Sequence, residues 1–468
     1  MVRKNRDVTS VAILGGGPGG YEAALVARQH GADVVLIERD APGGSAVLTD
    51  CVPSKALIAV SDVLTLAGES GGLGVTFEGE PALPGVLGAD LQVVNDRIRR
   101  LAEQQSLDIA ARLEREGVTV LQGNARLADG IVVVSTEQAT ERVETENILI
   151  ATGARPRLLP DVTPDGERIL TWEQLYRLPA LPERLIVVGS GVTGAEFASG
   201  YRALGCEVIL VSSRDRVLPS EDADAAEVIE AVFLRRGVEV QSRSRAAAVR
   251  RVGDSVEVEL GDGRTMTGSH CLLAVGSVPN TDELDLDSAG VRTDERGFIS
   301  VDRVSRTSAP GIYAAGDCTG VLMLASVAAM QGRIAMWHLL GQTVHPLDLA
   351  TVSSNVFTDP EIATVGCTQR DLDTGAINAE AVMLPLRTNA RAKMQGIDEG
   401  FVKIFCRMGT RIVVGGVVVA PAASELIHSL AMAVDQRLTV DQVAETFTIY
   451  PSLSGSIGEA ARRLRTHE

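Results

Sequence analysis

Gly15-Gly16-Gly17-Pro18-Gly19-Gly20 is the stretch that decides the fold. A mostly apolar run, residues 8–14, precedes it and reads as a strand buried on both faces. Residues 21–29 follow with helical composition. Between strand and helix, Gly15 permits the tight turn. Gly17 lets the backbone approach a pyrophosphate, and Gly20 lets the helix pack close. The next strand, 33–37, ends in Glu38, where a ribose-binding acid is expected. The rival reading is an ordinary glycine-rich turn, but strand, helix and terminal acid all stand in place.

The pattern recurs. Residues 185–188 form another apolar run, followed by Gly189-Ser190-Gly191-Val192-Thr193-Gly194 and a helical stretch, 195–204. Two such units in one chain are an internal repeat. They predict an α/β fold with two doubly wound, Rossmann-like dinucleotide-binding domains.

At 468 residues the chain is long enough for two to four domains, and 45% hydrophobic content can fill large cores. The net charge of −17 argues against nucleic acid and against attraction to anionic membranes. There are four lysines, Lys4, Lys55, Lys393 and Lys403. The six cysteines (51, 206, 271, 318, 367 and 406) show no short pairing, so neither a metal site nor a secreted disulfide scaffold is indicated. The N-terminus has no leader-like apolar region, and no apolar run reaches membrane-spanning length. A cytoplasmic protein with no integral membrane segment is expected.

Residues 43–55 read Gly-Gly-Ser-Ala-Val-Leu-Thr-Asp-Cys-Val-Pro-Ser-Lys. Cys51 and Lys55 share a helical face at i, i+4, and Pro53 lies in an early turn that tolerates it. The stretch, Gly44 and Ser45 included, resembles the active-site helix of the flavoprotein disulfide reductases. The family pattern is G-G-T-C-L-N-x-G-C-x-P-S-K, whose two cysteines form a redox disulfide. Here Ala46 stands at the first cysteine and Cys51 at the second.

Further motifs carry the same resemblance. Residues 148–156, with Thr152 and Gly153, are similar to the family's A-T-G-x-x-P turn. Residues 311–318 match its second FAD motif, in which Asp317 would bind the ribityl chain. Residues 324–333 open a helix, with Ser326 and Gln331 where the family has histidine and glutamate. Its amides would face the flavin. The second glycine turn implies NADPH or NADH, and Glu196 stands where a glutamate pairs with the active-site lysine. That implies a Lys55–Glu196 pair, against the alternative of a solvated helix acid. The strand 208–211 ends in Ser212-Ser213-Arg214, not in an acid. Loss of the acid removes repulsion of a 2′-phosphate, and Arg214 would attract one. The alternative is that both are plain loop residues. Residues 272–280, through Gly276, resemble the turn returning to the FAD domain, with Ser277 where arginine is common.

The resemblance implies an FAD-binding domain at 1–155 and 277–345 and an NAD(P)-binding domain at 156–276. A C-terminal α+β dimerisation domain would span 346–468, with strands at 400–404 and 415–426. A homodimer is implied because the family completes each active site from the partner. The family's H-x-H-P-T-x-S-E becomes Thr448-Ile449-Tyr450-Pro451-Ser452-Leu453-Ser454-Gly455, so the base and its orienter are replaced by Tyr450 and Gly455. A phenol titrating near pH 10 is a poor base. With one sulfur, the base and its orienter gone, the resemblance is to actinobacterial dihydrolipoamide-dehydrogenase-like NAD(P)H quinone reductases. Hydride from NAD(P)H would pass through FAD to a quinone-type acceptor. The alternatives are a soluble transhydrogenase, a dehydrogenase-like protein without disulfide reductase activity, and a non-catalytic FAD-binding sensor. Cys51 is either a redox thiol beside Lys55 or an inert residue that packs. Tyr450 either hydrogen-bonds a substrate or packs.

Overall fold

The computed structural model describes residues 8–128, 130–136 and 139–465. The first seven residues of the N-terminal stretch lie outside the described residues. Contacts divide the chain into two compact units. One comprises Met1–Ser54, Asn95–Arg157 and Ser277–Leu347; the other comprises Lys55–Val94, Leu158–Gly276 and Asp348–Glu468.

In the first unit, Ser10–Leu14 is the middle strand of a five-stranded parallel sheet. The order is Ile312–Ala314, Asn147–Ile150, Ser10–Leu14, Asp33–Glu38, Thr119–Gln122. Val11, Ala12 and Ile13 have no exposed surface, which is why this strand shows no alternation of polar residues. Helix Pro18–Gln29 covers the sheet through Ala23, Ala24 and Ala27. It crosses helix Ala325–Leu339 at backbone contact, since a β-carbon on Gly332 would lie 2.1 Å from the Gly19 carbonyl oxygen. Strands Asn124–Ala128, Ile131–Ser135 and Thr140–Val143 add an antiparallel meander.

The second unit repeats this plan. Its parallel sheet runs Ile169–Thr171, His270–Leu273, Arg184–Val188, Glu207–Val211, Glu239–Gln241, with the strand before the glycine turn again in the middle. A second meander, Ala246–Val252, Ser255–Leu260 and Thr265–Gly268, accompanies it. The same unit holds an antiparallel sheet ordered Ser353–Val356, Glu361–Gly366, Val413–Ala420, Phe401–Arg407, Ala379–Pro385. Val402, Ile404 and Val418 pack there against Leu430, Ala460 and Leu464 of helices Ala423–Asp435 and Gly455–Arg465.

Two expectations change. The strand expected at 415–426 stops at Ala420, and a helix begins at Ala423. Ala422 takes a left-handed conformation, φ 55°, between them. One apolar run had joined a β-branched segment, Val417-Val418-Val419, to the helix formers that follow. Second, the helical stretch Gly44–Leu73 is long and apolar enough to cross a membrane by length and composition alone. The stretch is not an unbroken apolar run, since it carries Asp50, Lys55, Asp62 and Glu69.

Candidate active site

The two glycine turns share one geometry. Gly15 and Gly189 have φ of +103° and +115°, a region that excludes most side chains. A β-carbon on Gly15 would lie 2.3 Å from the Ala151 oxygen, and one on Gly189 would lie 2.1 Å from the Ala274 oxygen. Gly20 and Gly194 press equally on Gly15 and Gly189, at 1.9 Å. Gly17 and Gly191 differ: a β-carbon on either meets nothing within 4 Å. Each is the N-cap of its helix in extended conformation, with no side chain capping the helix amides. The donor set and open floor at these two positions fit a dinucleotide pyrophosphate.

In the first turn Glu38 is buried, and its carboxylate accepts the N–H groups of Gly16 (2.5 Å) and Asp40 (2.9 Å). Gly44 packs on the turn, since a β-carbon there would lie 2.8 Å from the Gly17 Cα. Ser45 is exposed, in a short helix, Gly44–Leu48, that ends before Cys51. Thr152 donates its hydroxyl to the Asn280 carbonyl oxygen (2.7 Å), and the Asn280 amide returns a bond to the Thr152 carbonyl oxygen (3.0 Å). Gly153 takes φ +69° in this turn. Asn280 is therefore a clamp that the motif reading quoted without giving it a role.

Asp317 follows Gly316, whose N–H donates to Gln331 Oε1 at 2.8 Å. Gln331 is buried and braces that turn from helix Ala325–Leu339, where Ser326 is exposed in the first turn. Burial, helped by the Asp50 carboxylate, pushes the Asp317 carboxyl up to about 6. A half-buried acid of this kind fits a hydroxyl-rich ligand that donates hydrogen bonds.

In the second turn Ser212 is fully buried, with its hydroxyl 2.7 Å from that of Ser190. Its side chain thus braces the turn, and Arg214 is the exposed member of the pair expected to meet a 2′-phosphate. Gly276 is exposed at φ +93°.

Lys55 and Glu196, 141 residues apart, are brought together: Nζ to Oε2 is 2.8 Å. The Glu196 side chain is 4% exposed and that of Lys55 32%. Glu196 lies on helix Val192–Ala203, and its other oxygen accepts the Phe357 N–H at 2.9 Å. The Lys55 ammonium sits 4.8 Å from the centre of the Phe357 ring. The stretch 357–366 resembles the start of the family's dimerisation domain, but that resemblance gives Phe357 no role beside Lys55; only the fold delivers it.

Cys51 opens helix Cys51–Glu69, and all six cysteines are thiols. Burial holds the other five well above the ordinary thiol range: Cys206, Cys318 and Cys367 at about 12, Cys406 at about 11, and Cys271 higher still. Tyr450 is 85% exposed and is not brought to the Lys55 cluster in the single chain. Phe447 and Ile449 beside it are also exposed.

Two turns beyond Lys55, burial first and then Asp359 and Glu361 raise Asp62 from 3.8 to about 6. The folded chain then holds an extra proton between those values. The carboxylate opposes folding above pH 6 and has no effect below 3.8. Asp62→Asn is expected to raise the melting temperature at pH 8, with a gain that shrinks through pH 6 and vanishes near 3.8. The Asp62 carboxyl is only partly withdrawn from solvent, which limits the gain to about 2–4 °C. Thermal melts across that range check it.

Compared with known proteins, residues 9–332 match the pyridine nucleotide-disulphide oxidoreductase model and residues 352–461 match that family's dimerisation domain. The chain belongs to this family, whose members use FAD and NAD(P)H. It is 53% identical to a Mycobacterium tuberculosis protein named NAD(P)H dehydrogenase (quinone), over 98% of this chain and 95% of that one. It is 33% identical to a Haloferax volcanii dihydrolipoyl dehydrogenase, over 97% and 95%. The crystal structure of LpdA from M. tuberculosis superimposes with a TM-score of 0.93 at 53% identity, covering 98% and 100%. The HOCl-induced flavoprotein disulfide reductase RclA from Escherichia coli, at 24% identity and TM-score 0.85 over 97% and 99%, shares the fold.

Proposed function

We propose that this chain is an FAD-dependent NAD(P)H:quinone oxidoreductase acting as a homodimer. The observation that carries the reading is Ala46 where the family has its first redox cysteine, with Tyr450 and Gly455 replacing the base and its orienter. One sulfur cannot form an internal disulfide, so the acceptor must be reducible without one. The relative named NAD(P)H dehydrogenase (quinone) supports it. Bound FAD would supply two-electron transfer between NAD(P)H and a quinone, whose reduction to the hydroquinone consumes two electrons and two protons in all.

The residues divide that work. Gly15, Gly17, Gly20, Glu38, Gly44, Ser45, Thr152, Gly153, Asp317 and Ser326 hold FAD. Gly189, Gly191, Gly194, Gly276 and Arg214 hold the nicotinamide donor, with Ser212 shaping its turn; Arg214 supports NADPH with NADH tolerated. Lys55 and Glu196 tune the flavin electrostatically. Tyr450 serves the acceptor side with the partner subunit present, and Cys51 packs nearby. The repeated sheets support an FAD domain at 1–155 and 277–345 and an NAD(P) domain at 156–276. An interface domain at 346–468 follows. A cytoplasmic setting fits, because both donors are available there.

The test is a steady-state screen with NADPH and NADH against menadione, benzoquinone, lipoamide, glutathione disulfide and thio-NAD. Quinone reduction is expected to exceed the disulfides at least about a hundredfold, or ~3 kcal/mol in barrier. Lipoamide turnover at a comparable rate would reject the proposal, and thio-NAD reduction without quinone would point to a transhydrogenase.

A further inference from the structure

Phe357 touches both members of the Lys55–Glu196 pair. Its N–H donates to Glu196 Oε1 at 2.9 Å, and its ring lies 4.8 Å from Lys55 Nζ. The residues after it are pinned down. Asp359 N–H donates to Ser199 Oγ at 3.3 Å, three residues beyond Glu196 on the same helix. Arg236 donates to the Asp359 carbonyl oxygen at 3.0 Å and pairs with its carboxylate at 2.9 Å. The ring is therefore offered to the ammonium from a fixed backbone.

We propose that Phe357 is a positioning residue whose aromatic face holds the Lys55 ammonium on the Glu196 carboxylate. A carboxylate attracts an ammonium by charge, with little preference for direction. A ring face adds a second, directional attraction that an aliphatic side chain of similar size lacks. The consequence for hydride transfer rests on the role of Lys55 proposed above; the contact itself does not.

The test uses the holoenzyme with Phe357→Leu, Phe357→Met and Phe357→Trp. The four lysines can be followed separately by peptide mass spectrometry during acetylation with an activated acetate ester at pH 8–10. Only the neutral amine reacts. Lys393, exposed, is the internal reference. Lys403, 5% exposed and bonded to Asp222 and Asp224, reports the integrity of the fold.

With Lys403 still protected, Lys55 is expected to be acetylated about three- to tenfold faster in the two aliphatic variants. In Phe357→Trp it should react no faster than in the parent. All three substitutions keep the backbone N–H, so the difference reads the ring. Flavin reduction by NADPH should slow in the aliphatic variants and recover in Phe357→Trp. Unchanged Lys55 reactivity in both aliphatic variants overturns the proposal. So does unfolding of both, which would assign the ring to packing. A failed quinone screen with an intact Lys55 response sinks the function and leaves this assignment standing.

Discussion

Gly191→Val is expected to yield a folded, yellow protein whose flavin NAD(P)H no longer bleaches. The new β-carbon meets nothing within 4 Å, and the residue already has extended backbone, so neither clash nor strain opposes folding. The isopropyl group instead occupies the space a pyrophosphate needs above the helix amides. Stopped-flow reduction at fixed NADPH should slow by at least about a hundredfold, the scale set by displacing a reactant about 1 Å. Gly17→Val should act likewise one copy earlier and give a colourless chain. Gly194→Val should fail for another reason, since its β-carbon would lie 1.9 Å from the Gly189 oxygen. Normal bleaching by Gly191→Val would remove the nicotinamide assignment from the second turn.

Lys55→Met is expected to lower both stability and flavin reduction. It strips the ammonium from a carboxylate that is 4% exposed and leaves the Phe357 N–H on its other oxygen. With Lys55 about one-third exposed, breaking the pair from one side costs about 2–3 kcal/mol, because the buried carboxylate loses its partner. Lys55→Met with Glu196→Leu should regain most of that stability but none of the rate. Melting temperature and single-turnover reduction of the three proteins separate the two effects. Equal melting of Lys55→Met and the parent would show that the pair contributes nothing.

The repeat was legible because glycine turns are local. Gly15 and Gly189 are dictated by positive φ, and Gly20 and Gly194 by backbone contact within five residues. A fixed motif spacing exposed both. The Lys55–Glu196 bond was reachable only through resemblance, since nothing local joins residues 141 apart. Phe357, Asn280 and Gln331 were beyond reach in their bracing roles. Each acts through backbone, amide or ring contacts between residues distant in sequence, which arise only after the chain has folded. Ser212 was legible as a missing acid but not as a buried brace. The helix at Ala423 was hidden in an apolar run whose period changes without a polar break.

The high thiol pKa values have a chemical corollary. Quinones are electrophiles that arylate sulfur, and the thiolate is the species that attacks them. Cys206, Cys271, Cys318, Cys367 and Cys406 keep their protons at physiological pH. Under the proposed function these five thiols would be spared arylation by the acceptor, and Cys51, half-buried at the start of its helix, is the position at which an adduct is to be sought first.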